Sequence, residues 1–265
     1  MPEDGFIPFA GPLEAFAPIS LAEMDAVKLM NRVDTKYLTD SETLVAILRD
    51  AAAAGYRVLV ADDSRISPYD SIYFDTEGLR MFTDHRNQKL HRQKVRTRAY
   101  VNSGEAFLEI KRKNNRGRTK KKRTGIPMSE LPDFRADAAA CRYLDEWSDF
   151  RANEIQPTLE TAFNRITLVN PALTERITID TGLFFRNLRT GRDVSLRDAV
   201  IIEIKQDGHA ASPMKGILLD HRVKPARISK YCIAVTLTDP SARSNRFKVK
   251  VRQIEKTINK PITVI

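Results

Sequence analysis

Thiols and histidines are scarce in this 265-residue chain, with two cysteines and four histidines. Cys141 and Cys232 show neither a pairing pattern nor a metal-ligand spacing, which suits a reducing compartment, and both read as small hydrophobes. His85, His91, His209 and His221 are scattered with no i, i+4 pair, which argues against a zinc site and reads as surface histidines. No apolar run approaches the roughly 20 residues of a membrane-spanning helix. The longest candidates, such as Ile201–Ile204, are strand-sized. Met1 to Ala17 carries acids and prolines where a signal peptide would place a basic and then an apolar segment. A phosphate loop of the G-x-x-x-x-G-K-[ST] type is also missing. A hydrophobic share of 42%, a charged share of 29% and modest glycine and proline exclude disordered and collagen-like chains. The expectation is a soluble, cytoplasmic protein long enough to bury a substantial core.

Positive charge is present in excess and is concentrated. The chain carries 44 Lys+Arg against 34 Asp+Glu, a net +10. Residues 89–123 hold 14 of those cations and two acids, Glu105 and Glu109, so this segment is +12 and the remainder is −2. A basic feature this confined is expected of a polyanion site. Base stacking on single-stranded nucleic acid needs aromatics among the cations, and the segment offers only Tyr100 and Phe107. No nucleic-acid partner is therefore expected.

The first 20 residues are proline-rich and read as an extended arm. Helices are predicted over Leu21–Asn31, with a Ser20/Glu23 capping box, over Ser41–Ala54 ended by Gly55, over Ala136–Ala152, and after Ser212. Strand character runs through Lys36–Thr39, Tyr56–Val60, Tyr69–Phe74, Leu90–Val101, Glu105–Lys113, Thr119–Ile126, Thr158–Val169, Ile177–Phe185, Val200–Gln206 and Arg227–Leu237. The fold class is α+β, one domain on a large antiparallel sheet. Residues 21–240 form that domain, and 241–265 a basic C-terminal extension, an arm or an added helix.

Charge alternates along these strands at period two. Arg92, Lys94, Arg96 and Arg98 share a face, as do Glu109, Lys111 and Lys113, then Lys121 and Arg123, then Glu203 and Lys205. Each strand alone would read as solvent-facing. Like charges on neighbouring strands repel by up to about 1 kcal/mol per opposed pair, so several such strands in one sheet call for an anion among them. A sheet closed into a barrel would point these residues into a basic lumen and turn the apolar faces toward the helices.

The motifs Arg32-Val-Asp34-Thr-Lys36-Tyr37, Ser71-Ile-Tyr73-Phe74-Asp75-Thr76, Val95-Arg96-Thr-Arg98-Ala-Tyr100, Phe107-Leu-Glu109-Ile-Lys111-Arg112-Lys113 and Lys121-Lys122-Arg123 follow one another. Ala162-Phe163-Asn164-Arg165, Ile177-Thr-Ile-Asp180-Thr181, Ile202-Glu203-Ile-Lys205 and Ile228-Ser229-Lys230-Tyr231 complete the series. In this order they resemble the VTC domain, the polyphosphate polymerase family of the triphosphate tunnel metalloenzyme (CYTH-like) superfamily, over about residues 20–238.

The resemblance implies an eight-stranded antiparallel β-barrel, the triphosphate tunnel, with helices packed outside. It further implies an ATP-dependent polymerase that passes the γ-phosphoryl of ATP to a growing polyphosphate chain with Mn²⁺ or Mg²⁺. Lys36, Arg96, Arg98, Lys111, Lys121 and Arg165 would be catalytic; Lys94, Lys113, Arg123, Lys205, Arg227, Ser229 and Lys230 would bind substrate. Glu203 would hold the metal, with Glu109 as a second candidate. Within Lys120–Arg123 the sequence leaves open whether Lys121 or Lys122 faces the lumen, since a one-residue slip exchanges the faces. Relatives in eukaryotic complexes carry membrane segments; a membrane partner on a separate chain could replace them here, and the sequence itself does not show one.

Two departures from the family pattern matter. Phe163 stands where a tyrosine is expected, and Arg32-x-Asp34-x-Lys36 lacks the first acid of the E-x-E-x-K motif of the superfamily's triphosphatases. A tripolyphosphatase or nucleoside triphosphatase and a non-catalytic polyphosphate sensor remain the alternatives. Phosphoryl transfer itself needs neutralised, aligned phosphates more than a nucleophilic side chain, which agrees with so many cations.

Overall fold

A computed structural model describes residues 9–24, 32–116, 118–208 and 210–265. The elements are α1 (Ala10–Glu14), β1 (Ala17–Ile19), α2 (Leu21–Met24), β2 (Arg32–Asp40), α3 (Ser41–Ala53), β3 (Arg57–Leu59), β4 (Ser67–Asp75), α4 (Arg80–Arg86), β5 (Arg92–Tyr100), β6 (Glu105–Lys113) and β7 (Thr119–Ile126). They continue with α5 (Ala138–Trp147), β8 (Gln156–Val169), β9 (Glu175–Asn187), β10 (Asp193–Leu196), β11 (Ala199–Asp207), α6 (Pro213–Asp220), α7 (Lys230–Thr238) and α8 (Lys248–Ile258). This is the expected α+β class. The sheet has eleven strands: eight follow the order β2-β11-β9-β8-β4-β5-β6-β7, and β1, β3 and β10 pair off this path, where the resemblance implies an eight-stranded barrel. The order is open: among the described residues no pairing joins β2 to β7. The free side of β2 is taken by the chain itself, through a Tyr37–Pro225 bridge and an Ala226 N–H donating to the Lys36 carbonyl at 2.7 Å. At the other end β7 is exposed and lysine-rich, the usual protection of a sheet edge. No helix among the described residues is long and apolar enough to cross a membrane.

The chain divides into two compact units. The first takes Met1–Ser67, Arg165–Thr181 and Asp198–Arg227. Its core gathers Tyr37, Ile177, Ile179, Ile202 and Ile204 from one sheet face against Leu44, Ile47, Leu48, Met214 and Leu218 of α3 and α6. The Asp40 carboxylate caps α3 by accepting from the Thr43 N–H at 2.8 Å, and the Gly55 that the sequence predicts as its end stands at φ +77. Ser20 and Glu23 form the predicted capping box at α2; residues 25–31 of that expected helix lie outside the described residues. The N-terminal residues, expected as an arm, instead include α1 and β1 and bury Phe9, Leu13 and Phe16 in this core.

The second unit takes Pro68–Asn164, Gly182–Arg197 and Ile228–Ile265. Strands β4 to β7 run as an antiparallel meander whose apolar face, with Ile72, Phe74, Val95, Leu108 and Ile110, packs on Phe134 and on Ala140 and Leu144 of α5. Residues 227–237 are not a strand. Ser229 caps a helix there, accepting from the Cys232 N–H, and α7 is buried nearly all round. The β-branched and aromatic content that suggested a strand reflects this burial.

Candidate functional site

The second unit carries the cationic face. Pairing registers align its side chains in rows across three strands: Lys94, Lys111 and Lys121 in one row, Arg96, Glu109 and Arg123 in the next. Arg92 and Lys113 form a third row, and Tyr73 of β4 stands opposite Arg96. This register also separates Lys121 from Lys122. Lys121 shares the face of Arg96, while Lys122 lies on the other face with its ammonium 4.0 Å from the centre of the Trp147 ring of α5.

Glu109 is the anchor of the face. It is 2% exposed, accepts from Arg96 Nε at 2.8 Å and Nη2 at 2.5 Å, and ion-pairs through its other oxygen with Lys121. Burial alone would raise its pKa, but Arg96, Arg98 and Lys121 outweigh burial and hold the carboxyl far below its ordinary range. Glu109 is buried with an arginine fork on one oxygen and an ammonium in direct contact with the other, so a metal ion could bind it only by displacing these short ion pairs. The stem of Lys121 is exposed while its ammonium sits on the carboxylate. Desolvation pushes this lysine down to about 8, against the pull of Glu109.

Tyr73 is a residue the sequence reading did not select. Its oxygen accepts from Arg96 Nη1 at 2.9 Å. Burial opposes its ionisation, yet Arg96, Lys94, Arg98 and Lys230 together bring the phenol down to about 7. The signal in the sequence is its two-residue offset from Ser71 and Asp75, which puts it on the arginine side of β4. Arg98 donates from Nε to Ser71 Oγ at 3.0 Å and lies against the rings of Tyr69 and Phe163, at 5.1 and 5.8 Å. Phe163 also carries Lys230, whose ammonium is 3.7 Å from the ring centre. In place of the expected tyrosine hydroxyl, this position supplies an aromatic platform that holds two cations. Lys94 donates to Ser229 Oγ at 2.8 Å. Asp75, fully buried, accepts from the Met81 and Phe82 N–H groups at the start of α4 and from the Tyr231 hydroxyl at 2.5 Å, which fixes the first turn of α7 and with it Ser229 and Lys230.

The first unit carries a different polar face. Glu203 pairs in register with Lys36 and with Thr178, and Lys205 with Asp34 and Arg176. Lys36 and Lys205 approach the two Glu203 oxygens at 3.7 and 3.3 Å. Burial pushes the Lys205 pKa down, and Glu203 opposes that shift. Arg165 clamps Asp180 with two bonds, at 2.6 and 2.8 Å, both side chains largely buried. Arg227 is exposed in the extended segment after Ala226.

Among the described residues no three His, Cys, Asp or Glu side chains cluster to hold a metal. Glu203 nevertheless fits a Mg²⁺- or Mn²⁺-like ion, which is held by one or two carboxylates and completed by phosphate oxygens and water. Its register partner Thr178 has a buried hydroxyl with no hydrogen-bond partner among the described residues, an oxygen that a hydrated cation would satisfy.

The VTC domain family matches residues 31–238. No curated protein matches the chain. Among solved structures, a candidate adenylate cyclase from Bacillus halodurans is similar at 12% identity and TM-score 0.48, covering 76% of this chain and 96% of its own. A protein from Hippeastrum, described as a candidate adenylyl cyclase with a dominant triphosphatase activity, is similar at 13% identity and TM-score 0.45, covering 78% and 96%. Similarity at this level bears on neither substrate nor reaction.

Proposed function

The chain belongs to the VTC domain family, and from that premise we propose that it is an ATP-dependent polyphosphate polymerase. Membership ties it to polyphosphate and triphosphate chemistry. The observation that carries the finer reading is the row structure of the second unit: Lys94, Lys111 and Lys121 stand abreast on three strands, with Arg96 and Arg98 beside them and Glu109 as the carboxylate among them. Directly opposed ammonium groups are unfavourable unless an anion lies over them. A triphosphate or a phosphate chain supplies oxygens in every direction, which a mixture of planar guanidinium forks and point-like ammonium groups can grip.

In this reading Arg96, Arg98, Lys111 and Lys121 hold the transferring phosphates, with Lys94, Lys113, Arg123, Ser229 and Lys230 along the bound chain. Lys36, Arg165, Lys205 and Arg227 are the first unit's phosphate-binding candidates. Glu203 holds the divalent ion, which when bound neutralises charge on phosphate oxygens. An acceptor that is itself a phosphate chain end is already an anion and needs little deprotonation, whereas water needs a base. Asp34 stands opposite Lys205 and Glu203 lies against two lysines, a poor setting for a base, which favours transfer over hydrolysis.

The test is to incubate the protein with ATP and Mn²⁺ or Mg²⁺ and to resolve polyphosphate on a gel while assaying free phosphate. A ladder of chains is expected. Free phosphate without a ladder would make the protein a triphosphatase; tight polyphosphate binding with neither product would make it a sensor. Glu203→Gln is expected to abolish turnover while triphosphate binding measured without metal is retained; a sensor would show no turnover to lose.

A further inference from the structure

The cationic face of the second unit is aromatic at one end. Tyr69, Tyr100 and Phe107 occupy positions of β4, β5 and β6 on this face, turned away from the core that Ile72, Ala99 and Leu108 of the same strands enter. In register Tyr69 stands opposite Tyr100, and Phe107 opposite Arg98. The rings form a chain. Phe163 of β8 stacks on Tyr69 at 5.4 Å, Tyr69 meets Tyr100 edge-on at 5.0 Å, and Tyr100 meets Phe107 at 5.7 Å. Phe163 is buried and backs the cluster, whereas the other three rings are half-buried. Across from Phe107 on β7 stands Gly125, where a side-chain carbon would meet no atom of the described residues within 4 Å, so the space beside the ring is open. The exposed Arg123 lays its guanidinium over the same ring, 4.5 Å from its centre.

Charge changes along the same axis. The exposed Glu105, opposite Tyr100, ends the face with a carboxylate; beyond Phe107 come Arg96, Glu109 and Arg123, then Lys94, Lys111 and Lys121, then Arg92 and Lys113. Alternate residues of a strand lie about 7 Å apart, which sets Phe107 about 14 Å from the lysine row. A bare phosphate chain gains nothing from an acid and three rings at one end. A nucleoside triphosphate carries a flat, uncharged base at one end and its charge at the other, and every base offers a face to stack on a ring. We infer that Phe107, with Tyr100 and Tyr69 behind it, is a nucleobase subsite. The base lies on Phe107 in the space beside Gly125, and the triphosphate runs from Arg98 and Arg123 toward Lys111 and Lys121. The acceptor chain then approaches from the Arg92–Lys113 end, so that donor and acceptor meet at the lysine row. That the nucleotide is a phosphoryl donor rests on the polymerase reading above.

The test compares ATP with tripolyphosphate, which has no base, by calorimetric titration of the full chain. In Phe107→Leu, which keeps an apolar side chain and loses the ring, ATP affinity is expected to fall about tenfold, the size of one base–aromatic stack. Tripolyphosphate affinity should stay unchanged, and Phe107→Trp should bind ATP at least as tightly as the wild type. Gly125→Leu fills the open space beside the ring from an exposed strand and should weaken ATP alone. Unchanged ATP binding in Phe107→Leu and Gly125→Leu would overturn the inference, as would equal losses for both ligands or a wild type that binds tripolyphosphate and not ATP. If the wild type binds ATP through Phe107 yet makes no polyphosphate from it, the polymerase reading fails and the subsite stands.

Discussion

The polar faces of the two units use the same residue types to opposite effect. In the first unit acids stand beside the cations: Lys36 and Lys205 flank Glu203, Asp34 stands opposite Lys205, and Arg165 is clamped to Asp180. In the second unit one buried carboxylate, Glu109, faces Arg96, Lys121 and the row of lysines beside them. A face that balances its own charge can stand alone. One that does not keeps its repulsion in reserve for a ligand that relieves it. The first arrangement suits a metal and a defined geometry, the second a grip on a polyanion.

The largest effect that would break this contrast is on turnover. Arg98→Ala should lower polyphosphate synthesis by about 10²–10³-fold, the range seen when one preorganised charge-stabilising donor is removed. Wild-type activity in that variant would mean that the second unit's face does not hold the reacting phosphates.

Next is stability. Glu109→Gln leaves Arg96 and Lys121 without their buried partner, a loss of about 3 kcal/mol. The variant should also bind tripolyphosphate more tightly and gain more in unfolding midpoint from it than the wild type, because the anion takes the carboxylate's place. An equal gain in both proteins would contradict this account of Glu109.

A smaller effect is on pH. Tyr73 ionises near 7 and Lys121 loses its charge near 8, so each removes positive charge from the face as pH rises. Tripolyphosphate affinity should fall between pH 7 and 9, and Tyr73→Phe and Lys121→Arg should each flatten part of that fall, as read by calorimetric titration. The sign reverses for folding through Lys121. Its native pKa, about 8, lies below the ordinary 10.5, so its contribution favours the fold above that upper value and is lost as pH falls through about 8.

The smallest is Lys122→Ala. It removes a cation–π contact with Trp147, about 0.5–1 kcal/mol of stability, and should leave anion binding untouched, whereas Lys121→Ala weakens binding.

Much of this was legible because strand chemistry is periodic. The limits of β6 and β7 coincide with the sequence reading, and the alternation that put Arg96, Arg98 and Lys111 on one side needed no structure to be seen. Glu109 was harder, since a carboxylate among cations reads equally as metal ligand or ion-pair partner until its neighbours across the strands are known. The helix α7 was misread because a helix buried all round has no polar stripe to betray its period; its one local sign was Ser229 ahead of it. The helix α4 was missed for a related reason. Its first amides are satisfied by Asp75 and Thr76, several residues upstream, so no capping residue stands next to it.

Ser229 has a consequence beyond starting a helix. A hydroxyl oxygen accepts two hydrogen bonds and gives one. Here both acceptances are occupied, by the Cys232 N–H and by the Lys94 ammonium. What the side chain has left to offer is its proton, so at this end of the face the residue acts as a one-way valve of polarity: it greets an acceptor and turns away a donor. Threonine could keep that office; alanine would vacate it.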